Sequence, residues 1–299
     1  MVQSISVPEF FEYCGVFLTR RCTLACSYCI TAQDNAGFTS SDVHEKPVSP
    51  DDWARALNRF RLPLGVPVTF LGGEPFLYHS LLEIVDLLKH EVDIQTALPS
   101  NITRETFKSM KCPEKLNRKG PQPIIRVSYH PGQMDLDHVI ARIRYLQDLV
   151  SIGLYILDYP NQKLVEEARE KTAKAGIFFQ TKPFLGIHKG KRFGCYVYPE
   201  GDSGKIVRDL VECQNPLLVV DTDGLVYKCH SDLYHRRVSL ALGNIFNPAF
   251  KSVSPKHHTC CYFGLCSSCD LKAESNSRYN QGTNPINIRV ETPWPQYRW

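Results

Sequence analysis

The chain has 299 residues, 43% of them hydrophobic, enough for one large or two modest cores. A formal charge of +4 is too diffuse for DNA. No apolar run nears the ~20 residues of a membrane helix, and Glu9 and Glu12 fall where a secretory signal would be apolar. Twelve cysteines in such a chain read as metal ligands or reactive thiols in a reducing cytoplasm, not as disulfides.

In chain order, apolar segments alternate with helical ones. Residues 15–19 read as a first strand and feed the run Cys22-Thr23-Leu24-Ala25-Cys26-Ser27-Tyr28-Cys29. Ser49-Pro50-Asp51-Asp52 is a helix start, with Ser as N-cap, Pro in the first turn and acids behind it; the helix extends to about residue 60. A second strand, 67–71, ends in Gly72-Gly73-Glu74-Pro75. A helix is expected over 81–90, strands over 92–98 and 124–128, and an amphipathic helix over 136–150. A strand follows over 154–157, then a helix over 164–175 closed by Gly176, and a sixth strand over 177–181. Six such units imply a parallel sheet with helices outside it, either a partial (β/α)6 TIM barrel or an open doubly wound sheet. Both gather ligands at the carboxyl ends of the strands, where the cysteine run and Gly72-Gly73-Glu74-Pro75 lie. Residues 186–206 read as a connecting loop. Beyond it, 219–227 reads as a hairpin turning at Asp223-Gly224, which brings Cys213 and Cys229 to one open end.

Three thiols in a C-x3-C-x2-C spacing can hold three corners of an iron–sulfur cluster normally held by four. The missing ligand leaves one iron open. Structural zinc, by contrast, asks for four closed ligands. With the aromatic Tyr28 before the third cysteine, this stretch resembles the cluster loop of the radical S-adenosylmethionine (SAM) superfamily. The resemblance implies a 4Fe–4S cluster on Cys22, Cys26 and Cys29, with S-adenosyl-L-methionine chelated by the open iron. It also implies reductive cleavage of SAM to a 5′-deoxyadenosyl radical, a (β/α)6 partial barrel, and an electron donor of flavodoxin or ferredoxin type. Gly72-Gly73-Glu74-Pro75 resembles the family's GGE motif. Its glycines let carbonyls approach a ligand without Cβ interference, and Glu74 offers a carboxylate to the methionyl amine. By the same resemblance Ser100 and Asn101, just past the third strand, and Ser128, ending the fourth, are further SAM contacts. Tyr28 is placed beside the adenine.

The order Cys213-x10-Gly224-x4-Cys229, then Leu242-Gly243-Asn244-Ile245 and the pair Cys266 and Cys269, resembles the SPASM/twitch domains of the same superfamily. This implies a second, auxiliary 4Fe–4S cluster on Cys213, Cys229, Cys266 and Cys269. Four thiols also suit zinc, and Cys260 or Cys261 can replace one of the four. The expected division is a barrel over 1–185, the loop 186–206, an auxiliary-cluster domain over 207–275 and a tail over 276–299.

Hydrogen abstraction from a substrate carbon is the expected chemistry. One outcome is oxidation of a small molecule, with the second cluster as electron acceptor. Another is epimerisation, with Cys260, Cys261 or Cys195 as thiol hydrogen donor. A third is maturation of a ribosomal peptide, disfavoured because a first strand near residue 15 leaves no room for a peptide-recognition domain in front. A non-enzymatic zinc module is the fourth. Arg126, Tyr155 and Asp158 are candidate substrate contacts. The tail aromatics Trp294, Tyr297 and Trp299 are expected to close over the site.

Overall fold

Six parallel strands stand side by side in chain order: β2 (Tyr13–Phe17), β4 (Val68–Leu71), β5 (Val92–Thr96), β6 (Ile125–Tyr129), β7 (Ile152–Asp158) and β8 (Phe179–Pro183). The computed structural model describes residues 3–30, 48–118, 120–158, 160–204, 210–253, 257–272 and 287–290. The tail aromatics lie outside these. Two-residue strands β1 (Ile5–Ser6) and β3 (Phe60–Arg61) pair apart from the main sheet. Helices α1 (Pro50–Leu57), α2 (Leu81–Leu87), α3 (Arg104–Lys108), α4 (Leu136–Leu146) and α5 (Gln162–Lys174) alternate with the strands. Among the described residues, no helix is long and apolar enough to cross a membrane.

Local chemistry accounts for the helix ends. The Ser49 hydroxyl accepts from the Asp52 amide at 3.1 Å, Pro50 opens α1, and Trp53, Ala54, Ala56 and Leu57 form its buried stripe. Asn161 caps α5, and Gly176 ends it at φ +65°, where a Cβ would be strained. Strand 7 starts two residues earlier than its sequence suggests because Gly153 sits inside it. A Cβ there would lie 2.8–3.0 Å from Pro123 and Phe178 side-chain atoms, so only glycine fits.

Strand alternation separates two chemistries. Val68, Phe70, Val92, Ile94, Ile125, Val127, Leu154 and Ile156 pack with the helices' apolar stripes in one core. The opposite face carries Thr69, Asp93, Arg126 and Tyr155, all buried, with Ser128, Gln180 and Lys182 half-buried. Arg126 and Asp93 form an ion pair there at 3.2 Å. Asp158 has the other parity, and its carboxylate is spent accepting from Gln162 Nε2 at 2.7 Å on the exterior.

Two expectations need correction. Residues 186–193 are not loop: β9 (Gly186–His188) and β10 (Lys191–Phe193) form a hairpin turning at Lys189 and Gly190, both at positive φ. The C-terminal hairpin does turn at Gly224 (φ +81°), but it is not a separate sheet. Its strand β12 (Leu217–Val220) runs parallel to β2, followed outward by β13 (Leu225–Tyr227) and β14 (Gly243–Asn244). The result is a nine-stranded mixed sheet resembling a partial TIM barrel with C-terminal additions. Cys213 lies on β11 (Val211–Gln214), in a second sheet with β15 (His257–Cys260) and β16 (Asn287–Val290), not on an extension of that hairpin.

Candidate active site

The cysteine run leaves the carboxyl end of β2 and is gripped from one side by the loop ending β4. Gly73 N donates to Thr19 O at 3.3 Å and Glu74 N to Arg21 O at 2.7 Å. A Cβ on Gly73 would stand 2.1 Å from Arg21 O and 2.6 Å from Arg20 O, and Gly72 has φ +126°. The glycines are therefore required for backbone-on-backbone contact between the two loops.

Glu74 plays a different part from the one expected. Its side chain is fully buried, and Oε1 accepts from Phe76 N (3.0 Å) and Thr96 Oγ1 (2.8 Å), Oε2 from Ala97 N (2.6 Å). The carboxylate braces the end of β4 against the end of β5 and caps the single turn that Pro75 opens, so it is not presented to an amine. Burial raises its pKa, against the lowering effect of those three donors.

Cys22, Cys26 and Cys29 are half-buried on one side of the loop. Burial lifts the Cys26 thiol to about 11, with Cys29 and Cys22 adding like-charge terms, and Cys22 is raised by burial, then by Glu74 and Cys29. Tyr28 is buried, stacked on His130 at 5.9 Å and 5.3 Å from Phe184, with its hydroxyl 3.2 Å from His130 Nδ1. It thus ties the cysteine loop to the ends of β6 and β8. Ala25 N adds a bond to Gln133 Oε1 at 3.3 Å.

Ser100 and Asn101 are exposed past β5, and Ser100 lines a cavity of about 310 Å³ with Thr23, Leu24, Leu98, Gln133 and Arg142. Leu98 takes φ +56°, a strained backbone held by Arg142, which donates to the Leu98 and Ile102 carbonyls. Ser128 is on the polar face of β6, beside Tyr155. All these groups share the carboxyl end of the sheet. Arg20, Gln133 and Arg142 carry no motif signal, and sequence reading missed them.

Burial holds His130 neutral down to about pH 4, against an ordinary value of 6.5. Its folded-state pKa is depressed, so the unfolded chain binds the extra proton between those values. Stability should therefore be full above pH 6.5 and fall as pH drops towards 4, by on the order of 3 kcal/mol from this residue. Thermal melts of His130→Asn against the parent chain across that window check this: the variant's slope should be shallower.

The C-terminal thiols gather from four elements. Cys229 is the N-cap of α6 (His230–Tyr234), its Sγ accepting from Asp232 N at 3.3 Å. Val211 faces Cys260 across the β11–β15 ladder, which puts Cys213 and Cys260 on one face as diagonal neighbours. Cys266 packs with both, and Cys269 lies on α7 (Ser268–Leu271). Cys213 and Cys229 are pushed well above the ordinary thiol range, first by burial; Cys260 and Cys266 are raised in the same way. The buried Asp270 carboxylate clamps α7 to α6 through His230 N (3.0 Å), His230 Nδ1 (2.9 Å) and Ser231 N (3.0 Å). The thiol-donor assignment is accordingly corrected. Cys260 is immersed among the other thiols, while Cys261 faces solvent. Among the described residues, no three His, Cys, Asp or Glu side chains converge on a single ion position.

A sheet of this topology with a thiol loop at its carboxyl rim defines an enzyme that holds its chemistry on a bound cofactor. The family model of the radical SAM superfamily matches residues 16–177, more than half the chain, and the chain belongs to that superfamily. It is a radical SAM enzyme, and SAM-dependent radical generation is its general chemistry. Two solved structures share the fold. Streptococcus suis SuiB bound to precursor peptide SuiA has a TM-score of 0.53 at 16% identity, covering 80% of this chain and 63% of that one. The enzyme anSMEcpe with bound AdoMet has a TM-score of 0.51 at 18% identity, covering 79% and 75%. GTP 3′,8-cyclase 2 of Mycobacterium tuberculosis and of Mycobacterium bovis is 41% identical over 71 residues, 23% of this chain; the match spans 19% of those relatives' length.

Proposed function

We propose that the chain matures a peptide substrate by hydrogen abstraction, holding a 4Fe–4S cluster on Cys22, Cys26 and Cys29. The observation that carries the cluster assignment is the three-thiol loop pinned against Gly73 and Glu74 at the carboxyl rim. A cluster spreads its cysteines over separate irons, which suits three neighbouring thiols that do not converge on one ion. Bound there, the cluster supplies the electron that splits SAM into methionine and the 5′-deoxyadenosyl radical.

The chain's own residues bind and orient. The backbone of Gly72 and Gly73, Ser100, Asn101, Ser128 and Tyr28 surround the SAM position. The polar face bearing Tyr155 and Lys182, whose ammonium lies 5.5 Å over the Tyr155 ring, receives the substrate. An electron donor of flavodoxin or ferredoxin type in a reducing cytoplasm completes the system. Residues 1–185 serve radical generation and 207–275 the second cluster, a functional division rather than a break in the sheet. A peptide substrate is favoured over a small molecule by the likeness to SuiB, whose structure holds its precursor peptide.

The test is anaerobic reconstitution, reduction with SAM, and incubation with peptides encoded beside the gene. Transfer of deuterium from a labelled peptide carbon into 5′-deoxyadenosine supports the reading. Transfer from small molecules only would overturn the peptide assignment. A product two mass units lighter marks oxidation, whereas solvent deuterium at unchanged oxidation state marks epimerisation.

For the second site, the ligands proposed are Cys213, Cys229 and Cys266, with Cys260 competing with Cys269 for the fourth place. Cys260→Ala is expected to lose iron from this site while Cys261→Ala loses none. Iron and sulfide analysis of the two variants decides it, and zinc without sulfide would overturn the cluster assignment.

A further inference from the structure

We propose that Arg20 and Asp221 are a positioning pair that sets the register between the Cys22–Cys29 loop and the C-terminal hairpin leading to Cys229. The two residues are 201 positions apart, and their side chains are 2% and 1% exposed. Arg20 Nε donates to Asp221 Oδ1 at 3.1 Å and Nη2 donates to Oδ2, a two-pronged contact with one allowed geometry.

The backbone on either side makes this contact consequential. Arg20 sits between Thr19 and Arg21, whose carbonyls accept from Gly73 N and Glu74 N. The segment entering Cys22 is thus held from one side by the β4 loop and from the other by Asp221. Asp221 is itself rigid: its amide donates to Leu225 O at 2.8 Å, its Oδ1 accepts from Thr222 N at 2.8 Å, and its carbonyl accepts from Gly224 N at 2.9 Å. It ends β12, whose Val220 pairs with Val16 of β2, so both strands exit at the same rim. From this turn β13 runs back to Tyr227, two residues before Cys229. One ion pair therefore joins the entries to both thiol sites. The first thiol loop takes its binding shape only when the C-terminal hairpin is docked, and assembly of the two sites is coupled.

This rests on the cluster assignments above, so the test has a part independent of them. In the full chain without iron, iodoacetamide labelling of Cys22, Cys26 and Cys29 is followed by peptide mapping, with Cys112 as internal reference. Asp221→Asn is expected to speed labelling of the three thiols by on the order of tenfold and leave Cys112 unchanged. Arg20→Lys, which keeps the charge and loses the fork, should fall between that and the parent, and it serves if Asp221→Asn does not fold. After reconstitution, the change that SAM produces in the electron paramagnetic resonance spectrum of the reduced protein should weaken in the same order. Loop thiols that label at the parental rate in either folded variant, with melting temperature alone lowered, would overturn the positioning role. A parent chain with no SAM-dependent spectrum would instead sink the cluster assignment and leave the labelling comparison standing.

Discussion

Replacing any one of Cys22, Cys26 and Cys29 with Ala is expected to reduce 5′-deoxyadenosine release to background, a loss beyond the ~10–100-fold typical of groups outside the metal's own ligands. Each thiol in the proposed set is the only protein ligand to its iron, and the open corner means no spare cysteine can substitute. The fold should survive. The three side chains are half-buried on a rim loop, outside the apolar core that joins the helices to the sheet. The discriminating measurement pairs activity with stability: each variant should melt near the parent's temperature as iron-free protein yet carry less iron and cleave no SAM. The exposed Cys195→Ala is the matched control, expected to retain both. A triad variant that still released 5′-deoxyadenosine at the parental rate would remove the basis for the function proposed here.

The contrast between what the chain displays in its sequence and what only the fold reveals follows sequence distance. The six-unit alternation was legible because each strand and helix is written locally, in a period-2 or period-3.6 pattern with caps such as Ser49 and Gly176. The three-thiol loop was legible because its residues are neighbours. Glu74 was located correctly and misjudged chemically, since its partners Thr96 and Ala97 belong to the next strand and no local rule says they will consume both oxygens. Cys213 was paired with Cys229 by extending a hairpin, but β11 leaves that hairpin for another sheet, where its partner β15 begins more than forty residues later. Cys260 enters the second site through that ladder. The Arg20–Asp221 pair lies further still from local rules: the arginine looks like one more basic residue until β12 is laid beside β2.

Gly73→Ala should be the most damaging single-methyl change at the rim. The added Cβ would meet Arg21 O at 2.1 Å and Arg20 O at 2.6 Å, and both are backbone atoms that no rotamer change can move away. Relief requires the β4 loop to withdraw from residues 19–21, which breaks the 2.7 Å bond from Glu74 N to Arg21 O and drags on the carboxylate bonds to Phe76, Thr96 and Ala97. Overpacking of this kind costs roughly 1–3 kcal/mol, or a few degrees of melting temperature at about 2–4 °C per kcal/mol. The larger loss is functional, because the displaced segment leads directly into Cys22. Iron uptake on reconstitution should fall well below the parent's even at temperatures where the variant is fully folded. Gly132→Ala separates strain from collision: that glycine has φ +81° but nothing within 4 Å of its would-be Cβ, so it should lose some stability and keep its iron. If Gly73→Ala takes up iron and responds to SAM as the parent does, then contact between the two loops is not what shapes the thiol site.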